Sequence, residues 1–575
     1  MKKILNYMLK SKFTLAISLL CAILSVLASL SAPIIIGKTI DLMILPGDDT
    51  LNKVIKSLVI LILIYVSGAI ITWVLTYLTN SIAYKTANSI RNDLFDKINK
   101  LPIKFFDNSS HGDTISRFIN DVDAVTDGMI EGVSTILTGI ITLIGAIFFM
   151  WKINYIMAIV VLLSSPFVYF VARFITINSQ KMFKEQAKEL GSLNGYIEEM
   201  ITGHKTVKAF NYQDTTVNNF KDINSRLYDV GVKSQFYGAL ANPSTRLVNN
   251  ITFSIIGIVG SIIAIKGSIT VGDISSFLIY SSLFGKPINE ITSVLAQIQS
   301  AVASINRVYF VFEQTEEKPD SKNAEIIDSC EGEVEFRKVS FSYNKGKTII
   351  DELSFKVKPG TRVAIVGKTG CGKTTLVNLL MRFYNPDDGE ILIDGKNIMN
   401  VTRQSLRHNF GMVLQETYVF TDTIANNISY GHRDFAIEKI EEAAKKTGAH
   451  SFIRRLPKGY NTVVSGAGGS LSKGQEQLLT ISRVMLIDPP MLILDEATSN
   501  IDTRLEIKIQ DAFEKIMKGR TSFVIAHRLS TIKEADIIFM MDSGKIIEKG
   551  SHDELLAADG EYKKLYYSQF AGQET

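Results

Sequence analysis

Cysteine is scarce in this chain: three in 575 residues, at Cys21, Cys330 and Cys371. An odd, scattered set is not a disulfide framework, and no spacing suits a zinc site. Charge is sparse as well. Only 21% of residues are charged, and the net charge is +4. So mild a balance excludes nucleic acid as a partner, because such binding leaves a concentrated basic footprint. Short repeats and low-complexity tails are absent too. Apolar residues are what the chain has in quantity, at 46% with a positive mean hydropathy. That favours a membrane over the cytosol. The length exceeds what one core organises, so two or more domains are expected.

The apolar residues are concentrated in the first half. Uncharged runs cover 13–37, 57–84, 132–151, 153–172 and 247–265. A bilayer core of about 30 Å needs about 20 helical residues, and these runs meet that. A sixth stretch, 274–305, is interrupted by Lys286, Pro287 and Glu290. It is counted because six spans return the chain to the side on which it began. The opening "MKKILNYMLKSK" looks like a charged lead-in, but the apolar run after it is too long for a signal peptide, and no convincing cleavage motif follows. Lys2, Lys3, Lys10 and Lys12 precede the first span and place the N-terminus in the cytoplasm. The stretches 85–131 and 173–246 then also lie inside. Both are charged and helix-compatible, each broken once by a polar patch, "DNSSHG" at 107–112 and "FNYQDT" at 210–215. They suggest two helical hairpins reaching beyond the bilayer as levers.

After about Arg307 the character changes. "EQTEEKPDSKNAE", 313–325, reads as a linker, and short apolar runs then alternate with amphipathic helices. That is the pattern of an α/β domain with a mainly parallel sheet. The expected division is a six-helix membrane domain over 1–310, a linker over 311–332 and a nucleotide domain with a helical subdomain over 333–575.

"RVAIVGKTGCGKTT", 362–375, is a buried-strand run followed by G-x-x-x-x-G-K-T. The run Gly367, Lys368, Thr369, Gly370, Cys371, Gly372, Lys373, Thr374, Thr375 is therefore read as a P-loop. Its glycines let backbone N–H groups curl around phosphates, and a helix N-terminus adds positive potential. Lys373 is expected at the β- and γ-phosphates, and Thr374 offers a hydroxyl to Mg²⁺. "MLILDEATSN", 491–500, delivers Asp495 at a strand end, suited to the metal. Glu496 follows at once and can orient and deprotonate the attacking water. "SFVIAH", 522–527, is another apolar strand that brings His527 to the same edge, within reach of the γ-phosphate.

Together and in order, these motifs resemble those of an ATP-binding cassette exporter, and the resemblance covers essentially the whole chain. It implies that Tyr343, in "VSFSY", stacks on adenine. It implies that Gln415, in "GMVLQE", links γ-phosphate and Mg²⁺ to the membrane domain. "LSKGQ", Leu471–Gln475, corresponds to the signature, with Ser472, Gly474 and Gln475 facing a phosphate, and "SNID" to the loop ending at Asp502. The patches 107–112 and 210–215 correspond to coupling elements that dock on nucleotide domains. ATP and Mg²⁺ are the implied ligands, and a multi-pass protein of the cell membrane with a cytoplasmic ATPase domain is the implied setting.

In this family one ATP is sandwiched between the P-loop of one cassette and the signature of another. One of each is present here, so a second ABC half-transporter is the expected partner. Lys473 stands where a second glycine is usual. Pointing away, it changes nothing; pointing inward, it holds ATP while disturbing hydrolysis. Such signatures resemble those of asymmetric pairs, so a heterodimer is favoured over a homodimer, with this chain the catalytically competent half because it keeps Glu496 and His527. A glutamate often present before the signature is replaced by Gly466, which puts coupling through that contact in question.

The function expected is ATP-driven export of an amphipathic or hydrophobic substrate, a drug, lipid or peptide, by alternating access. A non-pumping ATP-gated regulator or channel and an exporter-shaped importer are the alternatives. No extra N-terminal peptidase domain is read in the sequence, so leader-peptide processing is not expected. Lys286 and Glu290 sit four apart, on one helix face, and pair with each other rather than forming a substrate site.

Overall fold

The computed structural model describes residues 7–44, 49–344, 346–414, 417–431, 435–465, 471–495, 503–526 and 529–570. These fall into two compact units. One holds 1–101 and 109–315; the other holds 102–108 and 316–575.

The first unit is helical. Its elements are α1 (Lys12–Ile44) and α2 (Thr50–Asn99); then, beyond the short α3 (Ile103–Asp107) that belongs to the second unit, α4 (His111–Ser116), α5 (Val122–Ile153), α6 (Tyr155–Thr202), α7 (His204–Ala209), α8 (Gln213–Ile265) and α9 (Val271–Phe312). Side-chain caps set several boundaries. Asn154 is extended (φ −159°), and its Oδ1 accepts from the N–H groups of Ile156 and Met157, which ends α5 and starts α6 within one residue. Thr270 and Asp273 form a reciprocal capping box at the start of α9.

Among the described residues four helical stretches are long and apolar enough to cross a membrane: Lys12–Ile44, Thr50–Asn99, His111–Ile153 and Arg246–Ile265. Tyr155–Ser164, at the start of α6, is apolar but shorter. The sixth expected stretch, 274–305, lies on α9, where Lys286 and Glu290 interrupt the apolar sequence. The apolar window of α2 is only 6% buried within the chain, and Ile62, Leu63, Ile70 and Trp73 are exposed. Helix surfaces of that kind suit hydrocarbon.

The 50 residues of α2 and the 53 of α8 make rods of about 75 to 80 Å, far longer than a bilayer core of about 30 Å. The chain turns where the polar patches stand. Asn108 closes α3 and Ser110 caps α4; Asn211, at φ +49°, lies between α7 and α8. Ser234 donates to Gln186, Arg226 pairs with Glu189 at 3.2 Å, and the Tyr196 hydroxyl donates to the Thr216 carbonyl at 3.0 Å, which joins α6 to α8. Arg307 of α9 reaches Asp113 at 2.7 Å and Asp121 at 3.2 Å. Where α1 meets α9, backbones touch: a Cβ on Gly272 would lie 2.1 Å from the Gly37 carbonyl oxygen. Ser276 donates to the Pro33 carbonyl at 2.8 Å, and Asp41 accepts from Gly272 N–H at 2.8 Å and from the Thr270 hydroxyl at 2.7 Å.

The second unit is α/β. In chain order it contains β1 (Val334–Phe341), β2 (Ile350–Val357), β3 (Arg362–Gly367), α10 (Lys373–Leu380), β4 (Asp388–Ile393), β5 (Lys396–Asn397), β6 (Phe410–Val413), β7 (Asp422–Thr423), β8 (Val463–Val464), α11 (Lys473–Ile487), β9 (Met491–Asp495), α12 (Thr503–Met517), β10 (Thr521–Ile525), β11 (Ile537–Asp542) and β12 (Lys545–Gly550). Six strands form one sheet in the order β12-β11-β3-β10-β9-β6, with β12 antiparallel and the rest parallel. Parallel strands covered on both faces read as unbroken apolar runs, as "VAIV" and "MLIL" do. A second sheet, β2-β1-β4-β5, is antiparallel and had no counterpart in the sequence reading.

Two cores result. Phe336, Phe355, Ile365, Leu376 and Phe539 fill the space between the sheets and α10. Ile424, Ile440, Leu478, Ile481, Leu494 and Ile509 fill a second core under the helices between β7 and α12. The polar stretch expected as a linker is pinned from Glu316 onward. Asp320 accepts from Arg403 N–H at 2.8 Å and from its Nη1 at 2.6 Å, while Glu317 pairs with Arg403 Nε at 3.0 Å. Its acidic side chains serve as partners for buried arginines.

Candidate nucleotide site

Strand register puts the candidate residues on one sheet edge. Ile525 pairs with Ile365 on one side and with Asp495 on the other, and Val413 pairs with Leu494. The C-terminal ends of β3, β10, β9 and β6 therefore lie side by side, where open parallel sheets bind ligands. Gly367 and Asp495 are at that edge. Gln415, Glu496, Asp502 and His527 fall outside the described residues, as does Gly466; β6, β9 and β10 end within two residues of the first, second and fourth of these.

Between β3 and α10 the chain turns tightly around its own atoms. Gly370 and Gly372 have φ of +83° and +108°, which disfavours any side chain there. A Cβ on Gly367 would lie 2.2 Å from the Met541 carbonyl oxygen. Lys373 arches over the loop, its Nζ donating to the Gly367 carbonyl at 2.8 Å and the Lys368 carbonyl at 3.1 Å. Lys368, Thr369 and Gly370 are exposed and Cys371 is buried, with its Sγ 3.9 Å from Lys373 Nζ. Thr374 is exposed on the first turn of α10, while Thr375 is buried. The loop thus offers a concave amide surface, an ammonium and a hydroxyl at one helix start, the elements of an anion grip.

Tyr343 lies two residues beyond β1 and is brought to this loop. Its hydroxyl donates to Thr375 Oγ1 at 3.2 Å and accepts from Asn378 Nδ2 at 3.1 Å. Its ring meets Phe341 and Tyr384 edge-to-face, with centroids 4.9 Å away in each case. Sequence reasoning missed Asn378 and Tyr384. Asn378 stands five residues after Lys373 on α10, a spacing that could have flagged it; Tyr384 carries no local signal.

The signature residues form a second element. Ser472 caps α11: its Oγ accepts from Gln475 N–H at 3.4 Å, and Gln475 Oε1 accepts from Ser472 N–H at 2.9 Å. Gly474 is buried in the first turn. An open hollow of about 660 Å³ lies beside this helix start, lined in part by Ser472, Gln475, Arg455 and Lys508. Lys473 is largely exposed, and its Nζ turns along α11 to Glu476 Oε2, 3.1 Å away. Cys371 of the P-loop and Leu376 just after it pack into the first core, whereas Leu471 and Leu478 pack into the second. Phosphate loop and signature accordingly stand on different cores.

A family model described as "ABC transporter transmembrane region" matches residues 15–288, and one described as "ABC transporter" matches 350–499. The chain is 42% identical to the Bacillus subtilis (strain 168) "Uncharacterized ABC transporter ATP-binding protein YfiC" over 99% of its own length and 94% of the relative's. It is 40% identical to a Mycobacterium bovis "Fatty acid ABC transporter ATP-binding/permease protein" over 89% and 80%. Among solved structures it is similar to "a bacterial Atm1-family ABC exporter with ATP bound", with a TM-score of 0.75 at 28% identity, covering 97% of this chain and 98% of that one. Identity at that level along nearly the whole length, with the phosphate loop at the C-terminal edge of its sheet, makes this chain a member of the ABC transporter family, its membrane region and its ABC-type ATPase fused in one polypeptide.

Proposed function

We propose that the chain is one half of a dimeric, ATP-driven exporter of amphipathic molecules in the cell membrane, crossing it six times and working by alternating access. The observation that carries the reading is the alignment of β3, β9 and β10: one sheet edge holds the phosphate loop, Asp495 and the strand ends that lead into Glu496 and His527. Lys373 would leave the Gly367 and Lys368 carbonyls for the β- and γ-phosphates, an exchange of neutral acceptors for charged ones that favours binding.

Thr374 and Asp495, both hard oxygen donors, suit Mg²⁺, with Gln415 as a third candidate. Thr374 is exposed at a helix start and Asp495 ends the neighbouring β9, so the donor set fits the ion. Bound there, the ion would neutralise charge that develops on the phosphates. Glu496 would orient and deprotonate water, and His527 would sense the γ-phosphate.

The separate cores support a dimer. A P-loop and a signature built on different cores within one cassette suit a sandwich completed by another cassette. The orientation of Lys473 bears on the partner. Held by Glu476, it leaves the start of α11 open to a partner's phosphate. A heterodimer is the favoured pairing because the signature carries Lys473 in place of a glycine, and this chain would be its competent half because it keeps Glu496 and His527. Closure would reach the membrane through the segments at 102–112 and 210–215. Phe210 and Tyr212 are exposed within the helical unit, as a docking surface for a partner's nucleotide domain requires.

Amphiphiles are favoured by the apolar helix surfaces and by the relative named for fatty acids. Inverted membrane vesicles carrying the protein and its companion subunit test direction and class together. ATP-dependent accumulation of a labelled long-chain fatty acid or amphipathic dye inside them is expected. ATP-dependent loss from preloaded vesicles would contradict export.

A further inference from the structure

Spacing alone pairs Lys286 with Glu290 and gives them no ligand. In the structure the pair exists, but it is loose and open. Lys286 Nζ lies 3.7 Å from Glu290 Oε1, beyond hydrogen-bond length, and the two side chains are 74% and 46% exposed.

Both charges belong to a stripe. Ser282, Lys286, Glu290 and Gln297 are all exposed, and helical geometry sets them within an arc of about 80° on α9. Phe277, Tyr280, Phe284 and Val294, on the opposing side of the helix, are buried. So α9 packs by one face and presents a polar one. On the six-span reading its capped start at Thr270 lies outside. Lys286 is then about 22 Å and Glu290 about 28 Å inward along the helix, in the inner half of a bilayer core of about 30 Å. Ionisable side chains at that depth face a cavity, not hydrocarbon. Pro287 stands between them and has no N–H, so the Leu283 carbonyl loses its helical donor and adds an acceptor at this level. α8 adds a side-chain amide: a Cβ on Gly285 would lie 3.8 Å from Asn249 Oδ1.

The charge pattern says what such a surface recognises. It holds one cation and one anion a helical turn apart, with no net charge. An anionic head attracted by Lys286 is repelled by Glu290, and a cationic head meets the reverse. A head that carries an anion and an ammonium a few ångströms apart suits both. Its anion takes donors of Lys286, and its ammonium takes an acceptor of Glu290, whose carboxylate has about four lone-pair sites. No hydrogen bond between the two side chains has to break first.

We propose that Lys286 and Glu290 form a head-group site, and that the substrate class it selects is a zwitterionic amphiphile: an apolar chain ending in a phosphate or carboxylate with a primary ammonium beside it. This rests on the reading of the chain as a six-span exporter of amphiphiles.

The test is equilibrium binding without ATP, on the full chain in phosphatidylglycerol nanodiscs, alone and with a second half-transporter. The probes share a sixteen-carbon chain: lysophosphatidylethanolamine and Nε-palmitoyl-lysine as zwitterions, palmitic acid as anion, hexadecylamine as cation. At least one zwitterion is expected to bind about tenfold more tightly than either singly charged probe, and which one it is tells a phosphate head from a carboxylate head. Glu290→Gln should move the preference to palmitic acid, and Lys286→Gln to hexadecylamine. The double variant Lys286→Glu with Glu290→Lys should still prefer Nε-palmitoyl-lysine, whose charges sit side by side, which also shows that altered chains fold. Equal binding of all four probes, or an order unchanged in both single variants, overturns the proposal. So does an unchanged order with weakened pairing to the second half-transporter, which would make the stripe a subunit contact. If the order is absent while ATP drives accumulation of a fatty acid, this site falls and export stands. If the order holds but ATP drives no accumulation, export falls and the site stands.

Discussion

Lys473 Nζ lies 3.1 Å from Glu476 Oε2 on the first turn of α11. The lysine is 77% exposed and the carboxylate side chain 7% exposed. The cation at the unusual signature position is thus the counter-ion of a buried anion, three residues along the same helix. Lys473→Gly removes that partner and places glycine in a helical first turn. A loss of stability of about 1–2 kcal/mol is expected, from the unpaired buried carboxylate and the glycine together. Glu476→Gln in the same chain should restore part of it. Thermal unfolding of the detergent-solubilised protein measures both. A variant that kept full stability but released trapped nucleotide faster would show instead that Lys473 grips phosphate.

Glu496→Gln should reduce ATP turnover by about 10²- to 10⁴-fold, the usual contribution of a positioned general base. ATP affinity should stay near the wild-type value, because the phosphate grip resides in Gly367–Thr375. Hydrolysis rates and equilibrium nucleotide binding on the same preparation check it. Full activity in the variant would remove Glu496 from its role.

Two of the three thiols, Cys330 and Cys371, should separate by reactivity. Burial, and then Asp394, push the Cys330 thiol up from 9.0 to about 12. It stays protonated at neutral pH, and its alkylation rate should climb about tenfold per pH unit up to that value, since the thiolate is the nucleophile. A thiol raised on folding contributes stability that is complete below the unfolded value and is lost as pH rises through about 12. Cys330→Ser should flatten that alkaline loss. Cys371, buried in the phosphate loop, should react slowly; its alkylation should block ATPase, and ATP should protect it. Mass spectrometry of labelled peptides against pH and ATP resolves the two.

Gly272→Ala should disturb the contact of α1 with α9. The added methyl would meet the Gly37 carbonyl oxygen at 2.1 Å and Asp41 Oδ2 at 2.5 Å, and overpacking of that kind costs about 1–3 kcal/mol. A lower unfolding temperature in detergent is the expected result, with the nucleotide unit alone unaffected in its ATP affinity. Unchanged stability would mean that the two helices separate there without cost.

Much of this was readable from local pattern. The glycine spacing of 367–375 announced an anion grip, and the unbroken apolar runs before Asp495 and before His527 announced parallel strands ending at one edge. The polar patches at 107–112 and 210–215 marked the turns between long helices. What was not legible joins residues far apart in sequence. Tyr384 and Asp107 are 277 positions apart, and no periodicity pairs them. The antiparallel sheet of β1, β2 and β4 was hidden because its strands precede and follow the phosphate loop, whose apolar β3 dominated the reading. The stretch from Glu317 to Asp320 reads as linker in sequence, because its partners Arg382 and Arg403 lie more than 60 positions away. The pair Lys473–Glu476 was in plain view at i,i+3, but the comparison with glycine drew the reading to the phosphate instead of along the helix.

The most direct test of the central claim is made on the full chain in nanodiscs, alone and with a second half-transporter. ATP hydrolysis is measured together with the distance between spin labels on Ile44 and Lys266, which follow α1 and α8. Hydrolysis that stops with Glu496→Gln, accompanied by an ATP-dependent change in that distance which persists in the variant, is the result expected if nucleotide closure is transmitted to the membrane helices. A protein that hydrolyses ATP while the labels never move, or that neither binds nor hydrolyses it, would contradict an ATP-driven exporter.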